Sequence, residues 1–260
     1  MSVVSVDISR KTYPRGMGGD ALVALSDLSF NVSEGEFVCL VGPSGCGKTT
    51  ILNLASGLDT TYNGQILIDG RQPPGGGKVG YMFQTPRLMP WLTVRDNVGL
   101  VLADGDDEDR IDALLGAMGL AEFAGSYPGR LSGGMQRRVA LARAFVASPG
   151  LLLLDEPFLS LDTPVANRLR RLLPDLYGGR PATVLFVTHD LREALFLADR
   201  VLFLSPRPGR VVLDLAVDLA RPRDPEGAEI ETLRLRLLRQ HPDLLAGLAQ
   251  ATEDADRPVV

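Results

Sequence analysis

The stretch Gly42–Thr50 reads GPSGCGKTT, and its Lys48 is one of only three lysines in the chain, with Lys11 and Lys78. The other members of the 27 Lys and Arg are arginine, so lysine at position 48 is informative. A phosphate-binding loop needs a compact ammonium on a flexible stem to reach between β- and γ-phosphates, which a planar guanidinium does badly. Gly42, Gly45 and Gly47 are expected to permit positive φ and close backbone approach, turning N–H groups inward as an anion nest. Pro43, Ser44 and Cys46 complete the loop with Lys48, Thr49 and Thr50, and the following helix aims its positive end at the phosphates. The Thr49 hydroxyl is placed to ligate Mg²⁺. A bland alternative is a glycine-rich turn opening a helix. The flanks favour the nucleotide, because Glu36–Val41 (EFVCLV) has a buried-strand pattern and Thr50–Leu58 reads as a helix.

Composition bounds the rest. At 260 residues the chain can bury a full core, as one large α/β domain or a core with sub-lobes. A net charge of −5 argues against general nucleic-acid binding. The acidic run Asp104–Asp109 is read as a solvated loop. Cys39 and Cys46 make no disulfide framework and suggest reduced thiols in a cytosolic compartment. No apolar run approaches a membrane span of roughly 20 residues, and no signal-peptide pattern stands at the N-terminus. Work at a membrane would require docking on other chains.

No internal repeat is visible. Residues 1–38 read as strand, loop and strand, with 14–20 as the loop; residues 64–70 and Val79–Gln84 read as further strands. Pro73–Gly77 reads as a flexible breaker cluster, and residues 86–148 as a helical insertion. Beyond Pro149–Gly150 strand and helix alternate: Leu151–Leu154, a helix opened by Thr163-Pro164, Thr183–Val187, Asp190–Ala198 and Val201–Leu204. That alternation predicts a largely parallel sheet with ligands at the carboxyl ends of its strands. From about 221 a polar, Pro-rich stretch leads into an amphipathic helix, Glu229–Arg239, read as packing.

Two further segments carry chemistry. Leu151–Pro157 (LLLLDEP) is a buried strand ending in Asp155 and Glu156. One carboxylate can hold a Mg²⁺ shell while its neighbour accepts a proton from the attacking water; a helix cap is the alternative. Leu131–Gln136 (LSGGMQ) precedes a helical stretch, Arg137–Ala147, with Ser132 as its N-cap. Arg137, Arg138 and Arg143 are read as supplying its charge. Gly133 and Gly134 weaken a helix start unless something must approach closely, and a phosphate fits that need. The chain then carries two half-sites on different lobes.

With these motifs the chain resembles the ATP-binding subunits of ABC transporters over nearly all of residues 1–215. Walker A stands at Gly42–Thr50, the Q-loop at Gln84, the signature at Leu131–Met135 and Walker B at Leu151–Glu156. The D-loop is Ser160–Asp162, and His189 in VTHD is the switch histidine. The resemblance implies a P-loop NTPase (RecA-like) core with a mainly parallel sheet, an N-terminal antiparallel β subdomain and an inserted helical subdomain. It implies an ATPase domain over 1–220, with a C-terminal tail over 221–260. It implies ATP and Mg²⁺ as cofactors, Tyr13 stacking on adenine, Glu156 as general base, and His189 contacting the γ-phosphate and attacking water. Asp155 and Gln84 would complete the Mg²⁺ and water shell with Thr49, while Ser132, Gly133, Gly134 and Asp162 would act across a head-to-tail homodimer that sandwiches ATP. One departure stands in the signature: Met135 occupies the position usually held by glutamine.

Thr85–Val98 (TPRLMPWLTVRDNV) and Ser205–Val211 (SPRPGRV) are similar to the importer subfamily for nitrate, taurine, alkanesulfonates and related small anions. That likeness implies permease subunits, an extracytoplasmic solute-binding protein acting indirectly, and a peripheral place on the cytoplasmic face of the membrane. Trp91 would lie at the groove that receives a coupling helix. An exporter subunit shares the same core chemistry and is the nearest alternative; a non-transport ABC ATPase and a module that has lost hydrolysis are further ones.

Overall fold

A computed structural model of the chain describes residues 2–14, 21–75, 77–103, 106–173, 176 and 183–242. The chain divides into two compact units, Met1–Gly76 with Leu185–Val260, and Gly77–Val184.

The first unit opens with a hairpin, β1 (Ser2–Tyr13) and β2 (Leu22–Ser33), and β1 also pairs antiparallel with β4 (Asn63–Ile68). Val4, Val6 and Ile8 are fully or almost fully buried while their neighbours face outward, the period of two that a half-buried strand imposes. The same unit holds β3 (Phe37–Val41), most of β7 (Thr183–Thr188), β8 (Arg200–Leu204) and β9 (Val211–Ala216). β3 and β8 run parallel, and β9 closes the edge antiparallel to β8. β3 and β7 are buried at every position, as expected of sheet strands covered on both faces. β9 alternates in exposure instead. This strand has no counterpart in the sequence reading, because VVLDLA lies half-exposed beyond a Pro-Gly loop and lacks the continuous apolar run of its neighbours.

Helix α1 (Lys48–Ala55) follows β3, packs on β4 and buries Ile51, Leu52, Leu54 and Ala55. It begins at Lys48, two residues before the expected start. The Pro73–Gly77 cluster is more ordered than expected where it is described. Gly75 N–H donates to Gln72 at 2.9 Å, and the Pro73–Pro74 pair packs so closely on Gly57 that a Cβ there would meet it at 3.0–3.2 Å. Helix α6 (Leu191–Leu197) is capped by Asp190, whose Oδ1 accepts from Arg192 N–H at 2.8 Å and Glu193 N–H at 3.3 Å. Helix α7 (Ala228–Gln240) packs on α6, with Arg192 and Glu231 paired at 2.8 Å.

In the second unit β5 (Val79–Met82) and β6 (Leu151–Asp155) pair in parallel. Between them lie α2 (Val94–Gly99), α3 (Asp109–Ala117) and α4 (Gly133–Val146), with α2 and α3 packed on α4; α5 (Thr163–Leu172) follows β6. A reciprocal capping box, Thr93 with Asp96, starts α2. The acidic run differs from a merely solvated loop at Asp106, whose carboxylate is 2.7 Å from Lys78 and accepts from Ala103 N–H at 2.9 Å. Asp104 and Gly105 lie outside the described residues, as do 15–20 of the expected first loop. Arg143, expected to supply charge on α4, does so from a buried position. It is only 8% exposed, and its guanidinium donates to the carbonyls of Arg87 at 3.0 Å and Pro86 at 2.7 Å.

Candidate functional site

The phosphate-loop half belongs to the first unit. Gly45 and Gly47 have φ of 76° and 107°, the left-handed region that glycine supplies without a Cβ penalty. Gly42 differs from expectation: its φ is not positive, and the glycine is needed for space. A Cβ there would meet Cys46 Sγ at 2.9 Å and the Leu204 carbonyl at 3.0 Å. Gly47 caps α1 with no side-chain hydrogen bond, and no acidic residue stands in the first turn. The positive end of that helix is therefore available to an anion. Lys48, 7% exposed, curls over the loop and donates to Gly42 O at 2.6 Å and Pro43 O at 3.1 Å. The Cys46 N–H also reaches Pro43 O, at 3.2 Å. Two donors thus converge on one point of the loop. Cys46 is itself buried, which pushes its thiol pKa up, with the Lys48 charge pulling the other way. Ser44 and Thr49 are exposed, Pro43 and Thr50 half-buried.

Tyr13 lies beside this helix in a polar cluster that the sequence reading missed. Its Oη is 3.3 Å from Thr50 Oγ1 and 3.3 Å from Asp59 Oδ2. Lys11, 2% exposed, pairs with Asp59 at 2.6 Å, donates to Thr61 O at 2.7 Å, and places its ammonium 4.5 Å from the Tyr13 ring centroid. Burial raises the Asp59 pKa, but the Lys11 hydrogen bond, the Thr61 N–H and the Lys11 charge outweigh it, so the carboxyl sits below its ordinary value. His189 follows β7 directly and is half-buried. Its neighbours are fixed by Thr188 Oγ1, which accepts from Asp190 N–H at 3.0 Å.

The second unit carries the other residues. β6 delivers Asp155, 1% exposed, at its end. Its charge, after burial itself, helps to push the Tyr81 phenol upward. Glu156 follows with φ of 47°, an uncommon conformation for a side-chain-bearing residue and a mark of local strain. Gln84, exposed just beyond β5, brings its Nε2 within 3.5 Å of Glu156 Oε2. Arg137 Nη1 reaches the Glu156 carbonyl at 3.4 Å. Gln84, Arg137 and Glu156 are thereby brought together, and Arg137, expected only to supply charge on α4, proves to be a neighbour of Glu156.

Ser132 caps α4, its Oγ accepting from Met135 N–H at 3.3 Å. Ser132 and Gly133 are exposed, and a Cβ on Gly133 would meet nothing within 4 Å. No packing within the described chain demands glycine there. Gly134 differs, since a Cβ would sit 3.2 Å from Leu161. Gln136 is turned away, donating to Pro128 O at 3.1 Å and Leu131 O at 3.4 Å, so it does not replace a glutamine at 135. Asp162, exposed, is the N-cap residue of α5 and makes no side-chain capping bond.

A family profile described as ABC transporter matches residues 25–159. The chain belongs to the ABC transporter family. It is an ABC ATPase, similar to the Aliphatic sulfonates import ATP-binding protein SsuB 2 of Burkholderia cenocepacia (strain HI2424), 45% identical over 238 residues that cover 91% of this chain and 86% of that one. SsuB 1 of Pseudomonas aeruginosa (strain UCBPP-PA14) is 46% identical over 234 residues, covering 86% and 91%. SsuB of Bacillus licheniformis (strain ATCC 14580) is 38% identical over 240 residues, covering 91% and 93%. Among solved structures, the ATP-binding cassette MJ0796 in a dimeric post-hydrolysis state with ADP and Pi aligns with a TM-score of 0.74 at 31% identity, covering 84% of this chain and all of that one. This ABC ATPase has, among its described residues, no helix long and apolar enough to cross a membrane.

Proposed function

We propose that the chain is the ATP-hydrolysing subunit of an importer for a small anion, of the nitrate, taurine or alkanesulfonate kind, with an aliphatic sulfonate as the first cargo to test. The observation that carries this reading is 45% identity across 91% of the chain to proteins named for aliphatic sulfonate import. Residues 1–220 form the ATPase domain, with a helical subdomain over about 86–148, and 221–260 the tail. Two copies pair head to tail; that the similar cassette MJ0796 was solved as a dimer supports pairing. They work on the cytoplasmic face of the membrane beneath permease subunits, fed by an extracytoplasmic solute-binding protein. Exposed Trp91, Leu100, Val101, Phe123 and Tyr127 in the helical region suit such a docking role.

In this reading the donors that converge on Pro43 O exchange that oxygen for phosphate oxygens, and Tyr13 receives the adenine. Lys48 supplies a mobile point charge, while Gly45–Thr50 and the uncapped start of α1 supply N–H groups. Ser132, Gly133 and Asp162 of one copy close over the nucleotide of the other. Met135 leaves the Ser132 cap and the open Gly133 in place. Glu156, steadied by Gln84, takes the proton of the attacking water, and His189 orients that water and the γ-phosphate. The Thr49 hydroxyl, the Asp155 carboxylate and the Gln84 amide oxygen are hard oxygen donors with few carboxylates, a set that suits Mg²⁺ shared with phosphates and waters. Held there, Mg²⁺ would supply positive charge to offset charge developing on the phosphate oxygens.

The deciding experiment reconstitutes the chain with the permease and binding protein that co-purify with it. ATP hydrolysis stimulated by sulfonate-loaded binding protein, and not by the empty one, is expected. Export of a solute in the same vesicles, with no such stimulation, would overturn the importer reading.

A further inference from the structure

The β8–β9 connection, Ser205–Arg210, grips the phosphate loop from outside, and nothing above gives it a task. The connection is itself rigid. Ser205 Oγ donates to Pro208 O at 2.9 Å and accepts from Arg210 N–H at 3.1 Å, and Ser205 N–H donates to Arg210 O at 2.9 Å. It is pinned to β2 by Gly209 N–H donating to Ala24 O at 2.9 Å and by Ser26 N–H donating to Gly209 O at 3.2 Å. Gly209 is buried so closely against the Cys46 carbonyl that a Cβ would collide with it. Leu204, just before the connection, lies under Gly42.

From this base Arg207 reaches the tip of the loop. Its Nε and Nη2 both donate to Gly45 O, at 3.1 and 2.9 Å. An exposed arginine often finds a nearby carbonyl by chance and gains little from it. Two features set this one apart: its backbone is anchored on both sides, and its target is the carbonyl of a glycine held in the left-handed region, with φ of 76°. A trans peptide points its N–H opposite to its C=O, so holding Gly45 O outward turns Cys46 N–H into the loop. A cation on the carbonyl also polarises that N–H toward any anion it meets.

We propose that Arg207 is a positioning residue for the phosphate loop: from the β8–β9 connection it holds the Gly45–Cys46 peptide in the orientation that receives nucleotide phosphates. It acts through the loop and touches no reacting atom. This rests on Lys48 and its loop binding nucleotide, so Lys48→Ala is measured beside it.

The experiment measures ATP affinity of the purified full chain by displacement of a fluorescent ribose-labelled ATP, together with steady-state kcat and KM. Charge-assisted hydrogen bonds to one exposed carbonyl are worth about a 10-fold effect on affinity. Arg207→Ala is expected to raise the ATP Kd and KM about 10-fold while kcat stays within about 2-fold. Arg207→Lys, offering a single donor, should fall between variant and parent. Thermal unfolding without nucleotide should be unchanged, since the side chain is exposed. Unchanged affinity in Arg207→Ala, or a fall in kcat at constant KM, overturns the proposal while Lys48→Ala still fails to bind. Lys48→Ala binding like the parent would instead overturn the nucleotide reading of the loop, and the brace with it.

Discussion

Lys11 and Asp59 meet at 2.6 Å, with the lysine 2% exposed and its ammonium also facing the Tyr13 ring. A buried ammonium is costly unless paired, so removing the carboxylate strands it. Asp59→Asn is expected to cost about 2 kcal/mol at pH 7, read as a Tm lowered by roughly 4–8 °C. The Asp59 pKa is depressed in the folded protein. Its contribution is therefore full above the unfolded carboxyl value of about 3.9 and is lost as pH falls through the lower folded value. Urea unfolding of parent and variant should show the gap narrowing below about pH 4. A gap independent of pH would show that the pair is not what stabilises this cluster.

Lys48 occupies a slot between carbonyls at 2.6 and 3.1 Å with 7% of its surface exposed. A guanidinium is too broad for it. Lys48→Ala is expected to weaken ATP binding at least roughly 100-fold, and Lys48→Arg at least roughly 10-fold. Titration by fluorescence checks both, and near-parent affinity in the arginine variant would rule out the steric argument.

Glu156→Gln keeps the shape beside Gln84 and removes the proton acceptor. ATP hydrolysis should fall about 10²–10⁴-fold while ATP binding persists. His189→Ala should slow turnover by a similar factor if the same water depends on it. Phosphate release measured at saturating ATP gives both numbers; parent-like turnover in Glu156→Gln would remove this carboxylate from the mechanism.

Ser132→Arg places a long cation on an exposed helix start where Gly133 leaves open space. The loss of the cap costs about 1 kcal/mol of stability. In a Glu156→Gln background, where the sandwiched dimer should accumulate, ATP is expected to leave the Ser132→Arg protein monomeric by light scattering. Its own ATP affinity should match that of the background protein. ATP-dependent dimerisation equal to the background would refute a site shared between copies.

Most of the parallel strands and their helices were legible because buried runs such as LLLL and FVCL allow few other environments. The loop Gly42–Thr50 was legible for the same reason that it is demanding, since each residue type answers a separate geometric need. Lys11 was legible in principle. The arginine bias that made Lys48 informative applied equally to it, but its partner Asp59 lies 48 positions away and only the β1–β4 pairing brings the two segments together. β9 escaped because an edge strand with one wet face carries a weaker pattern than a covered one. The burial of Arg143 was not legible because helical spacing does not tell whether carbonyls wait for a guanidinium. The strain at Glu156 has no sequence signal, since glutamate seldom adopts a positive φ.

Arg143 has a mechanical consequence. It sits near the end of α4, and Ser132 begins the same helix, so the two are about 16 Å apart along a single rigid rod. One end clamps the carbonyls of Pro86 and Arg87, just past Gln84. The other carries the exposed Ser132 and Gly133, the end proposed to meet a partner's nucleotide. A displacement of the Pro86–Arg87 segment would be delivered to Ser132 as a tilt of the whole helix. If Ser132 closes on a partner's nucleotide as proposed, that closure and the Pro86–Arg87 segment are two ends of one lever, and a loosened clamp at Arg143 would uncouple them.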